Sequence, residues 1–153
     1  MPHNVWKEAQ VALAGPIVGS LAAAGLWVAG EALDSELLVA LAFTGFFLNL
    51  FNLIPVSPLD GGRAAAALHP ALWAVGLVLL LGLTIVSPNP ILFLVLIVGA
   101  IEVWRRWRDR DEPGMAAYYA IEPWQRAVVG VTYLGLTALL AIGMAATHIE
   151  RTF

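Results

Sequence analysis

The sequence predicts an all-α, polytopic integral membrane fold of about five transmembrane helices. Composition is the first reason: 60% of the 153 residues are hydrophobic and only 12% are charged, against about a quarter in an ordinary soluble domain. The spacing of apolar runs is the second, and the placement of tryptophan and arginine at their ends is the third. There is no cysteine, which excludes disulfides, thiolate metal sites and thiol nucleophiles together. The basic residues form one short cluster beside a helix end, so nothing points to nucleic acid.

The first run, about Ala9–Ala29, is long enough to span a bilayer, which takes roughly 17–25 residues. Gly15-Pro16 interrupts it, which argues against a secretory signal, and Pro16 is expected to start or kink the helix. Gly15, Gly19 and Ala23 form a small-residue stripe suited to close helix approach. The second run, Leu37–Pro55, also spans. The third and fourth, Ala71–Val86 and Ile91–Trp104, are shorter and are joined by Ser87-Pro88-Asn89-Pro90, a turn signal. They read as a tight hairpin of short spans or re-entrant segments. The fifth, Ala127–Ala146, spans.

Charge then orients the bundle. Lys7, Arg63, Arg105, Arg106, Arg108, Arg110 and Arg126 fall on one side under strict alternation, leaving Arg151 on the other. By the positive-inside rule the N-terminus and the Asp60 end of the second run face the cytoplasm, and the C-terminus lies outside. Trp6, Trp27, Trp73, Trp104, Trp107 and Trp124 sit at or near span ends, as an interfacial belt does. The chain reads as one membrane domain over 1–153, in a prokaryotic cytoplasmic membrane with lipid as its first partner.

The second run ends in Asn52-Leu53-Ile54-Pro55-Val56-Ser57-Pro58-Leu59-Asp60-Gly61-Gly62-Arg63. An ionised Asp well inside a bilayer costs roughly 2.5–3.5 kcal/mol, and a broken helix there needs protein or a cavity around its backbone. Two readings stand side by side. Asp60 is a metal ligand or proton-handling group in a polar pocket, or Asp-Gly-Gly is a surface turn with Arg63 as a topology charge. Asn49 and Asn52 share a helix face among Phe, Leu and Ile, which suits interhelical hydrogen bonds or substrate binding.

Asn52-x-x-Pro55-x-x-Pro58-Leu59-Asp60-Gly61-Gly62 resembles the N-x-x-P-x-x-x-L-D-G motif of the site-2 protease family of intramembrane zinc metalloproteases. Upstream, Glu8-Ala9-Gln10-Val11-Ala12-Leu13-Ala14-Gly15-Pro16 resembles the A-L-A-G-P segment that opens the preceding core helix. The likeness covers residues 8–63, a partial metalloprotease core, with 64–153 as C-terminal helices; over Tyr118–Leu140 it is looser. It implies Asp60 as third zinc ligand, Asn52 and Pro55 beside the substrate cleft, and single-span membrane proteins as substrates. Zinc with two imidazoles and one carboxylate keeps an open position for a water made nucleophilic at neutral pH.

The departure is as informative. The other ligands and the general base should come from H-E-x-x-H, whose spacing sets two imidazoles on one helix face. This sequence has no such motif, and His3, His69 and His148 are too scattered to replace it. Glu8 and Glu102, at span ends, read as surface residues. No stoichiometric zinc is therefore expected on this chain alone. Two explanations compete: an incomplete copy of a protease lacking its H-E-x-x-H helix, or a catalytically dead binding or regulatory module. A small-solute transporter is a third, but only one interrupted helix is visible where two would match. In the incomplete-copy reading the missing helix is the natural partner of Gly15, Pro16 and Gly19. Its absence would leave that stripe and the Asn49/Asn52 side facing lipid.

Overall fold

The computed structural model describes residues 4–109 and 112–148, so His3, Arg110 and Arg151 lie outside the described residues. Among the described residues the chain is all-helical. It runs through α1 (Val5–Ala32), α2 (Glu36–Asn52), α3 (Asp60–Leu68), α4 (Leu72–Val86), α5 (Pro90–Arg108), α6 (Met115–Tyr119) and α7 (Pro123–Ala146). Each of the five apolar runs centres on one helix, α1, α2, α4, α5 or α7, although the second outlasts α2 by residues 53–55, and the short α3 and α6 are additional.

Asn4 opens α1, its side chain accepting the Lys7 N–H at 3.0 Å, so the helix begins four residues before the apolar run. Pro16 neither starts nor ends it; it is buried inside the helix. Two helices, Val5–Ala32 and Pro123–Ala146, are long and apolar enough to cross a membrane. α2 and α4 are apolar but shorter, and α5 carries Arg105, Arg106 and Arg108 in its last turn. Large apolar side chains point outward along most helices: Val18, Leu21, Val78, Val131 and Leu134 are each 66–74% exposed.

α1 and α2 form an antiparallel hairpin closed by small residues. Gly30 lies against Val39, and a Cβ on Gly45 would stand 3.0 Å from that of Ala23. Gly19 faces the Asn49 amide so closely that a Cβ there would overlap it. The small-residue stripe therefore meets α2 and the start of α3 within this chain, which corrects the expectation of an absent helix as its partner. Close approach of α2 is what these glycines permit.

Pro55 and Pro58 stop α2, because a prolyl ring offers no N–H to continue it. Leu53 still donates to the Asn49 carbonyl at 3.2 Å, and the chain then crosses 53–59, with a cis Ser57–Pro58 peptide, before Asp60 starts α3. This connection is caged. Gly61 and Gly62 press α3 onto the backbone of Leu53–Ile54 and Val56–Ser57, Gly76 of α4 sits on the Pro55 carbonyl, and Gly99 of α5 lies against Val56 and Ser57. Non-helical backbone inside a bundle has to find its hydrogen bonds there. The Tyr133 hydroxyl of α7 donates to the Leu53 carbonyl, and the Trp73 indole donates to that of Gly62 at 2.8 Å.

Candidate functional site

The caged connection presents Asp60 at the first turn of α3, where the positive end of the helix dipole favours a carboxylate. Asp-Gly-Gly is therefore a helix start, and the surface-turn reading is corrected. Gly61 and Gly62 serve it by letting α3 lie on the 53–57 backbone. The Asn52 amide, at the last position of α2, donates to Asp60 Oδ2 at 2.6 Å. The same oxygen lies 3.4 Å from where a Gly15 Cβ would project, so the A-G-P segment of α1 and the L-D-G segment meet at this carboxylate. Asp60 Oδ1 faces Arg63 Nη1 at 4.0 Å, and the Asp60 side chain keeps 27% of its surface open.

Arg63 is more than a topology charge. Its Nε donates to Glu8 Oε1 at 3.2 Å, and the Tyr118 hydroxyl from α6 donates to Glu8 Oε2. Glu8, only 16% exposed, is thus an interior partner and not a surface residue. Asn52, Asp60, Arg63, Glu8 and Tyr118 form one polar chain contributed by α2, α3, α1 and α6.

The remaining sequence candidates fall elsewhere. Asn49 donates to the Gly45 carbonyl of its own helix at 2.8 Å and packs on Gly19, which replaces the expected interhelical hydrogen bond with a helix-packing role. Pro55 is half-buried with its carbonyl against Gly76. His69 caps the end of α3 and accepts the Ala71 N–H at Nδ1, 3.1 Å away. The His148 ring lies 5.6 Å from that of Phe43, toward the other end of α2 from Asp60. Glu102 accepts from Arg106 Nε at 2.8 Å on α5.

A catalytic zinc takes three protein ligands. Among the described residues no three His, Cys, Asp or Glu side chains converge to hold a metal ion. Asp60 Oδ2 already accepts from Asn52, and Oδ1 faces a guanidinium. On their own, these residues do not fit zinc. What they do is hold one half-open carboxylate in a fixed direction against α1.

Comparison with protein-family models, with curated proteins and with solved structures finds no match to this chain.

A second cluster closes the same end of the bundle. The Arg106 guanidinium lies 4.9 Å over the Trp73 ring, and Glu102 accepts from Arg106 at 2.8 Å while standing 3.7 Å from Arg105. Burial opposes the Arg106 charge, but the Glu102 hydrogen bond and the neighbouring Tyr119 outweigh it and hold the guanidinium above its ordinary pKa.

Proposed function

We propose that this chain is the cleft side of a site-2-protease-like intramembrane endopeptidase and contributes the carboxylate ligand, Asp60. The single observation that carries the reading is the junction at Asp60 Oδ2. Asn52 of one motif donates to it, and Gly15 of the other lies beneath it. Two segments that resemble one family separately are also adjacent in space, at the residue whose role that family fixes.

In this reading the protein is integral to the membrane. The two long apolar helices and the outward-facing Leu and Val side chains support it. Asn52 holds the carboxylate by donating to it, Pro55 and its caged neighbours shape the adjoining wall, and Arg63, itself fixed by Glu8, stands behind it. Two imidazoles and the general base come from an H-E-x-x-H helix outside this sequence, docked on the open side of Asp60. Single-span membrane proteins are the substrates.

One observation favours a second reading. Arg63 stands 4.0 Å from Asp60 as well as 3.2 Å from Glu8, a cation beside the carboxylate without any metal, as a catalytically silent membrane module would need. Cleavage separates the two. With the protein in its native membrane and a single-span reporter, the endopeptidase reading expects zinc-dependent cleavage that Asp60→Ala abolishes. Cleavage undiminished by Asp60→Ala, or no cleavage in membranes that also hold an H-E-x-x-H polypeptide bound to this chain, refutes it.

A further inference from the structure

A cavity of about 390 Å³ opens between the start of α4 and the end of α5, walled by Trp73, Ala74, Val103, Trp107 and Tyr119, with Arg106 at its edge. Its volume falls in the range of about 300–1,000 Å³ typical of small-ligand pockets. It adjoins a second cavity of about 260 Å³ whose walls include Glu102, Arg105, Arg106, Asp109 and Tyr119. An apolar hollow thus runs into a charged mouth.

Among the described ion pairs at the mouth, guanidinium groups outnumber carboxylates by one. Glu102 is one carboxylate shared by two guanidinium groups, with Arg106 at 2.8 Å and Arg105 at 3.7 Å, while Arg108 is matched by Asp109 at 3.1 Å. The excess positive charge falls on the outer member of the trio, Arg105, whose side chain is 64% exposed. Trp104 and Trp107, each 58% exposed, flank it as interfacial aromatics do. From this juxtaposition we infer a lipid site: one acyl chain of an anionic glycerophospholipid fills the apolar cavity, and its phosphate pairs with Arg105 at the mouth.

The inference rests on the membrane reading given above, but not on the metal. Trp73 and Trp107 in the cavity wall make it measurable. The full chain is reconstituted in phosphatidylcholine vesicles containing rising, matched mole fractions of either brominated phosphatidylglycerol or brominated phosphatidylcholine, and tryptophan quenching is followed. One surplus charge enriches the anionic lipid about fivefold, so quenching by phosphatidylglycerol should saturate at an about fivefold lower mole fraction. Arg105→Ala should bring the two lipids level. Ala74→Phe, which fills the cavity and leaves the charges alone, should remove the saturable component for both. Equal quenching by the two lipids in the unaltered chain overturns the site and leaves the membrane reading standing. Quenching by neither overturns both.

Discussion

Two glycines of one helix test the caged connection from opposite directions. In α4, a Cβ on Gly76 would strike the Pro55 carbonyl, a backbone group that cannot swing away, whereas a Cβ on Gly82 meets nothing within 4 Å. Replacing either by alanine favours the helix by about 1 kcal/mol. At Gly76 the collision forces α4 off the 53–59 connection, at the upper end of the roughly 1–3 kcal/mol that overpacking costs. The net is a loss of about 2 kcal/mol for Gly76→Ala and a gain of about 1 kcal/mol for Gly82→Ala. At about 2–4 °C per kcal/mol for a chain of this size, the two melting temperatures should differ by roughly 6–12 °C. Thermal unfolding of the purified protein, followed by circular dichroism, reads this directly. Equal melting temperatures would mean that α4 does not rest on Pro55, and the reasoning would fail.

Other contacts give equally specific expectations. Trp73→Phe leaves the Gly62 carbonyl without its indole donor in a buried setting, a loss of about 1–3 kcal/mol that the same melting assay would show. Arg63→Ala strands Glu8, so a double-mutant cycle with Glu8→Gln should return a coupling of about 0.5–3 kcal/mol; strict additivity would deny the pair. Gly19→Val drives a side chain into the Asn49 amide and should part α1 from α2. A cysteine pair placed at Gly45 and Ala23 should crosslink without Gly19→Val and lose its crosslink with it, and unchanged crosslinking would contradict the packing.

The helices were legible where composition alone makes them. Ser87-Pro88-Asn89-Pro90 separates α4 from α5 because proline and asparagine suit a turn, and Asn89 does cap α5 by accepting the Ile91 N–H at 2.8 Å. α3 was not legible as a helix. Gly61-Gly62 read as a turn, yet their missing side chains are what allow α3 to lie on the Leu53–Ser57 backbone, a tertiary cause with no local signature. At the site, Asp60 and Asn52 were visible through their eight-residue spacing. Glu8 and Tyr118 were not assigned to it, because their partners stand 55 and 110 residues away. The one hint was Glu8, an acidic residue in the first turn of a largely apolar helix.

The central claim is that Asp60 completes a zinc site with imidazoles from outside this sequence. It is tested most directly by the zinc content of the protein purified from its own cells with everything that remains bound to it. The account predicts one zinc per chain, an H-E-x-x-H polypeptide in the same preparation, and loss of the metal in Asp60→Ala. Zinc retained by Asp60→Ala, or a metal-free preparation that contains the H-E-x-x-H polypeptide, would contradict it.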